Sequence, residues 1–149
     1  MAEIWFYHLQ RRRLEDVLPT LLQKTLERGW RAAVEGRDEE RLISLDGHLW
    51  TFRDESFLPH GMANEPNAPD QPILLTTGPA NVNGAAARFL IDGAEADDPD
   101  AYERVIYLFD GRDQDAVATA RAYWKSVGAS GHTAVYWQET DRGGWEKKA

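Results

Sequence analysis

The 149-residue sequence contains no cysteine, and this absence excludes several kinds of chemistry at once. Disulfide bonds, thiolate nucleophiles and cysteine-ligated metal sites all require a residue that the chain lacks. The chain also has no run of about twenty apolar residues, which a membrane-spanning helix requires. Its basic cluster follows the first apolar run, which is the reverse of a secretory signal. We therefore expect a cytoplasmic protein.

Basic residues are also few. The sequence has 17 Lys and Arg against 25 Asp and Glu, which gives a formal net charge of −8. Proteins that bind nucleic acid directly usually present a broad basic surface, so this chain would need a local basic patch to do so. In contrast, tryptophan is plentiful at six residues, and aromatic side chains are enriched where proteins meet proteins. Charge and aromatic content together favour a protein partner.

The spacing of apolar residues predicts strands that alternate with helices. The predicted strands cover residues 4–7, 30–34, 72–76, 88–91, 104–109 and 133–138, and the predicted helices cover about 14–28, 38–49 and 113–127. The proline-rich residues 52–72 are predicted to hold no regular element, and about 140–149 to form a flexible tail. This alternation predicts one domain with an α/β, Rossmann-like layered fold, in which helices flank a mostly parallel central sheet.

A nucleotide-binding enzyme is the alternative that this fold class invites. A dinucleotide fold needs G-x-G-x-x-G in its first strand-to-helix turn, but here that turn reads HLQRRRLED. A Walker A loop is absent, the histidines form no H-x-x-x-H pair, and no serine lies in a nucleophile elbow. The acidic run at 95–100 lacks the ligand pattern of a calcium loop. The sequence therefore predicts no catalytic residue, no metal and no cofactor.

One face of the last predicted helix combines two cations with an indole ring. Arg121, Trp124 and Lys125 lie at positions i, i+3 and i+4, so they project from the same side. Such a face suits an acidic, aromatic peptide end, because the cations meet carboxylates while the indole packs against an apolar ring. The alternative is an ordinary amphipathic helix whose tryptophan is buried and whose cations are solvated.

A second candidate surface follows the second predicted helix. Trp50 and Phe57 enter the proline-rich segment together with Pro59 and His60. Large apolar groups in a loop favour a docking surface. The alternative is that Trp50 and Phe57 fold back over the edge of the sheet.

Several blocks, in their order and spacing, resemble the family of the chi subunit of bacterial DNA polymerase III. The blocks are WFYHL, LWTFRDESFLPHG, YLFDGRD, RAYWKSVGASGHTAVYWQ and GGWEKKA, and they extend over nearly the whole chain. The resemblance implies a Rossmann-like fold without a functioning nucleotide site. It also implies a non-catalytic accessory subunit of the clamp loader that contacts nucleic acid only indirectly.

The same resemblance implies two protein partners. One is the psi subunit, which tethers chi to the clamp loader. The other is the acidic C-terminal tail of single-stranded DNA-binding protein, which ends in phenylalanine. The resemblance assigns the tail to Arg121, Trp124 and Lys125, with Asp110 and Gly111 at the edge of the site. It assigns psi, and in some members a repair helicase, to Trp50, Phe57, Pro59 and His60.

One residue departs from the family pattern. Where the family often has an aromatic residue, this chain has Val127, so we expect a shallower rim around the tail site. Two other functions stay open as alternatives, namely a nucleotide-binding α/β enzyme and a protein that binds single-stranded DNA directly. The first would show as thermal stabilisation by ATP or NAD, and the second as DNA binding at low salt without any other protein.

Overall fold

A computed structural model of the chain describes residues 3–51, 59–78, 81–96 and 98–149. The strands of the described part are β1 (Glu3–Leu9), β2 (Ala32–Glu35), β3 (His60–Met62), β4 (Ile73–Thr76), β5 (Ala87–Leu90), β6 (Arg104–Asp110), β7 (Thr133–Glu139) and β8 (Trp145–Lys147). The α-helices of the same part are α1 (Leu14–Glu27), α2 (Glu39–Thr51) and α3 (Gln114–Ala129).

The strands form one open sheet in the order β3-β4-β2-β5-β6-β1-β7-β8. Every neighbouring pair is parallel except β7 and β8, which are antiparallel. The chain moves from β1 through α1 toward one edge, and from β6 through α3 toward the other edge. Such a reversal is the switch point of a doubly wound sheet. The predicted single-domain, mostly parallel Rossmann-like fold is confirmed.

The core lies in two layers, one on each face of the sheet. The inner sides of α1 and α2 pack on one face, and the inner side of α3 packs on the other. Strand β6 supplies both layers, because Ile106 and Leu108 point to the first while Tyr107 and Phe109 point to the second. Its nearly continuous apolar sequence is typical of a strand that is buried on both faces.

The ends of the helices are set by local chemistry. Asp113 caps α3, since its carboxylate accepts hydrogen bonds from the backbone N–H groups of Asp115 and Ala116. Helix α1 ends at Glu27, and Gly29, two residues on, has a φ of +81° in the left-handed region that favours glycine. The end of α1 and the start of α3 lie within one residue of the bounds predicted from the sequence.

The proline-rich segment contains a strand that the sequence prediction missed. Residues 60–62 form β3, which pairs in parallel with β4 so that His60 lies opposite Ile73. Prolines flank these three residues and do not interrupt them. At Gly61 an added Cβ would come within 2.8 Å of the Gln71 side chain, so glycine permits the close approach. The prediction of no regular element is therefore wrong at this point.

The end of the chain also differs from its prediction. Residues 140–149 are predicted to be a flexible tail, whereas the structure pairs β8 with β7 and packs Trp145 edge-on against Tyr7, with ring centroids 4.8 Å apart. The guanidinium of Arg12 lies 5.7 Å from the Trp145 ring. These tertiary contacts order a segment whose own sequence is too short and polar to predict a strand.

No helix of the described residues is long and apolar enough to span a membrane.

Candidate functional site

Helix α3 presents the predicted cations and holds the indole between two aromatic rings. Arg121 and Lys125 are exposed, and Trp124 is half-buried. The Trp124 ring meets Phe6 at a centroid distance of 5.1 Å and an angle of 69°, and Tyr136 at 5.7 Å and 80°. Edge-to-face contacts of this kind are favourable and fix the ring plane. The indole is therefore anchored from below without being sealed in the core.

A histidine connects this indole to the turn between β6 and α3. The Nδ1 atom of His8 and the hydroxyl of Tyr136 share a hydrogen bond. At Gly111 an added Cβ would lie 1.8 Å from His8 Nε2 and 2.9 Å from the carbonyl oxygen of Leu9. The contacts thus run from Gly111 through His8 and Tyr136 to Trp124. They join two segments that the family resemblance assigns to one site.

Charged residues from both predicted segments affect the pKa of His8. Burial lowers the pKa of His8 below its usual value, while Asp110 opposes this shift and Arg121 adds to it. Burial also raises the pKa of Tyr136, and the charge of Arg121 opposes that shift. The charge of Arg121 therefore affects the pKa of both members of the His8–Tyr136 pair.

Asp110 has a positioning role at this turn. Its Oδ1 accepts hydrogen bonds from the backbone N–H and the Nε of Arg112, each at 2.9 Å. Burial alone would raise the pKa of Asp110, but the Arg112 hydrogen bonds and charge lower it overall. A second Arg112 nitrogen, Nη1, donates to the carbonyl oxygen of Arg11 at 3.1 Å. Asp110 thus holds the turn that precedes α3 in place.

Val127 lies away from the rim of this site. Its side chain is 3% exposed and packs in the layer between α3 and the sheet. Because Val127 faces inward, it does not form part of the rim, and the expected shallower rim does not follow from this residue.

His8 and Tyr136 were not predicted as site residues, since they are 128 positions apart in the chain and only the fold brings them together.

The close packing around Gly111 predicts how a substitution there changes stability, and Gly128 provides a matched control. We expect Gly111→Ala to lower the free energy of unfolding by about 2 kcal/mol, because the new methyl overlaps His8 and a backbone carbonyl. The new methyl of Gly128→Ala in α3 meets no atom of the described residues within 4 Å and should raise the free energy of unfolding by about 0.5–1 kcal/mol. Urea unfolding of both variants measures these changes. Equal effects of the two substitutions would contradict the close packing at Gly111.

The second predicted surface is partly exposed. Trp50 is 49% exposed, and its ring packs on that of His60 with centroids 4.1 Å apart. His60 is itself buried, with Nε2 lying 3.1 Å from the backbone oxygen of Asp46, so it supports Trp50 from beneath. Pro59 is half-buried, and Phe57 lies outside the described residues.

Helix α2 adds a residue to this surface that the sequence analysis missed. Ile43 is 57% exposed and precedes Trp50 by seven positions, so both lie on the outer side of the helix. Leu42, Leu45 and Leu49 form the inner stripe of the same helix and are buried. The position of Ile43 outside that stripe could have indicated from the sequence that it is exposed.

The turn after β1 holds a carboxylate of the chain itself. Glu139 Oε1 accepts hydrogen bonds from the backbone N–H groups of Gln10, Arg11 and Arg12 at 3.0, 2.7 and 3.1 Å. Arg12 Nε donates to Glu139 Oε2 at 2.6 Å. Arg12 therefore stabilises this turn through its contact with Glu139. In dinucleotide folds the corresponding turn binds phosphate.

A crevice of about 580 Å³ lies at the switch point of the sheet. The described residues that line it include four arginines and five acidic residues. Arg41, for example, pairs with Glu15 at 2.7 Å and with Asp92 at 3.0 Å. Among the described residues no group of three or more His, Asp or Glu side chains is arranged to hold a metal ion. The crevice therefore has no surplus of positive charge for a phosphate.

Comparison with known proteins gives a consistent family match. Residues 1–135 match the family model described as "DNA polymerase III chi subunit, HolC". The chain is 25% identical over 91 residues to a Rickettsia prowazekii protein named "Probable DNA polymerase III subunit chi", which covers 61% of this chain and 55% of that protein. It is 36% identical over 58 residues to the DNA polymerase III subunit chi of Pseudomonas aeruginosa, which covers 39% of each. The aligned parts thus span about half or less of these relatives.

Proposed function

The chain belongs to the family of the DNA polymerase III chi subunit, and we propose that it is a non-catalytic adaptor. It joins the acidic C-terminal tail of single-stranded DNA-binding protein to the clamp loader, through the psi subunit, during DNA replication. The observation that carries this proposal is the half-buried indole of Trp124 between the exposed cations Arg121 and Lys125.

The α3 face suits the end of an acidic peptide in two ways. Arg121 and Lys125 supply charged donors for carboxylates, including the terminal one. Trp124 supplies an apolar face for the final aromatic ring. Because Phe6 and Tyr136 already hold the indole in place, binding immobilises few additional rotamers. Both cations are exposed, so the contact weakens as salt concentration rises.

The psi subunit binds the outer side of α2 in this proposal. Ile43 and Trp50 offer an exposed apolar pair there, and buried His60 fixes the indole. Helix α2 packs on β3 and β4, whereas α3 packs on β6 and β7 at the opposite face of the sheet. The two partners therefore bind without overlap. Linking two modest contacts raises the effective concentration of each partner at the assembly.

The carboxylate-filled turn after β1 supports the adaptor over a nucleotide enzyme. Three consecutive backbone N–H groups at residues 10–12 donate to Glu139, so none of these three is left to bind a phosphate. The net charge of −8 supports a protein partner over direct binding to single-stranded DNA.

Two substitutions, one at each surface, should each weaken the binding of one partner only. The tail probe is a peptide ending in Asp-Ile-Pro-Phe, titrated by calorimetry, and the second ligand is the purified psi subunit. Lys125→Ala should weaken the peptide about five- to tenfold and leave psi binding unchanged. Trp50→Ala should weaken psi binding about tenfold or more and leave the peptide unchanged.

Arg142→Ala is the matched control for Lys125→Ala, because Arg142 is also exposed but lies in the turn before β8. Its peptide affinity should stay within about twofold of the wild type. Wild-type peptide affinity in Lys125→Ala would contradict the tail site. Loss of peptide binding in Trp50→Ala would contradict the separation of the two surfaces.

A further inference from the structure

A second cavity, of about 340 Å³, lies between α1 and the sheet near the amino ends of β5 and β6. Among the described residues that line it, the charged ones are Lys24, Arg28 and Arg104, and none is acidic. Such a lining is unusual for a protein with a net charge of −8. The cavity lies on the face of the sheet opposite α3, so it is separate from the proposed tail site.

Cations and indole rings alternate along the wall of this cavity. The Arg104 guanidinium lies 3.8 Å from the centroid of the Trp5 ring and 5.5 Å from that of Trp30. Arg28 lies 4.2 Å from the same Trp30 ring. A guanidinium stacked on an aromatic face keeps its N–H groups at its edge, where they can bind an oxyanion.

Arg104 lacks a full set of partners. Its Nε is shielded from solvent and has no hydrogen-bond acceptor among the described residues. Glu3 Oε1 lies 3.6 Å away, and the same oxygen accepts a hydrogen bond from the Trp5 indole. Burial lowers the pKa of Arg104, against the effect of Glu3 and together with that of Arg28. An additional anion would relieve this imbalance.

The floor of the cavity is apolar. Leu21 of α1 and the sheet residues Phe89 and Ile106 are all at least nine-tenths buried and line it. Trp145 of β8 forms a further side. The cavity thus combines an apolar floor with a cationic wall, which is the chemistry of a site for an acidic segment with an apolar anchor.

We propose that this cavity binds a short acidic segment of a partner protein. Its carboxylates meet Lys24, Arg28 and the edge of Arg104, and one apolar side chain rests on the floor. A nucleobase fits less well, because stacking needs free aromatic faces and the two guanidinium groups already cover those of Trp5 and Trp30. The net charge of −8 also repels a chain of phosphates.

The test uses a labelled peptide, acetyl-Asp-Leu-Asp-Asp-Leu-Phe with a C-terminal amide, followed by fluorescence anisotropy. The amide removes the terminal carboxylate, one of the groups that the proposed tail site binds, and the Lys125→Glu variant reports any remaining binding there. Arg28→Glu should weaken the binding of this peptide at least about tenfold. Arg142→Glu makes the same charge change at an exposed site elsewhere and should stay within about threefold of the wild type, as should Lys125→Glu on α3.

Three outcomes would overturn the proposal. They are no peptide binding to the wild type, loss of binding in Lys125→Glu but not in Arg28→Glu, and tighter binding of a hexathymidylate that depends on Arg28. Lys24→Glu, also exposed on the last turn of α1, replaces Arg28→Glu if that variant does not fold. Failure here leaves the tail site on α3 untouched, because the two sites share no residue.

Discussion

Arg88→Met is expected to lower the free energy of unfolding by about 3–5 kcal/mol at neutral pH. Arg88 is 1% exposed and donates to Glu35 Oε1 from Nε at 3.0 Å and from Nη2 at 2.7 Å. The Nη2 atom also donates to the carbonyl oxygen of Gly78 at 2.5 Å. Removing the guanidinium leaves the buried Glu35 carboxylate without its cation, which is the costly event. Urea unfolding followed by circular dichroism measures the change.

The double variant Arg88→Met/Glu35→Met separates the unpaired charge from the loss of packing. Replacing a whole buried ion pair by apolar side chains of similar volume is often neutral or stabilising. We therefore expect the double variant to recover most of the stability lost in Arg88→Met. A double variant as unstable as the sum of its two single variants would contradict this explanation.

Glu139→Gln is expected to lower the free energy of unfolding by up to about 3 kcal/mol at neutral pH. Burial would raise the pKa of Glu139, but Arg12 and the backbone N–H groups of residues 10–12 outweigh it and lower the pKa from 4.5 to about 2. A carboxylate with a lowered folded-state pKa stabilises the protein fully above its unfolded value. That contribution is lost as the pH falls from about 4.5 to about 2.

Unfolding measured across this pH range tests the assignment. The wild type should lose stability relative to Glu139→Gln as the pH falls, so the two curves converge at low pH. Glu146→Gln is the control, because Glu146 is exposed on β8, and it should differ from the wild type by less than about 0.5 kcal/mol. Parallel curves for the wild type and Glu139→Gln would show that Glu139 does not titrate as described.

Local sequence pattern predicted the elements that form their own contacts. The apolar stripe of α1, the start of α3 near residue 113 and the apolar run of β6 each depend on neighbours within a few positions. The strands β3 and β8 depend instead on distant partners, since each is three residues long and is held by pairing with β4 or β7. No local pattern distinguishes such short strands from loops.

The candidate site shows the same division. Helical spacing predicted that Arg121, Trp124 and Lys125 share a face, and α3 is helical over all three positions. The support beneath that face comes from Phe6 and Tyr136, which lie on two other elements of the fold. Likewise, the carboxylate in the first turn comes from a residue 127 positions beyond Arg12. Contacts of this range follow from topology and could not be predicted from spacing.

The most direct test of the account is whether a peptide ending in Asp-Ile-Pro-Phe contacts Trp124. Indole ¹⁵N–H signals, assigned by single tryptophan-to-phenylalanine substitutions, report on each ring during a titration. The account predicts that the Trp124 signal moves in proportion to saturation, while those of Trp30 and Trp50 stay in place. A saturating peptide that leaves the Trp124 signal unmoved would contradict it.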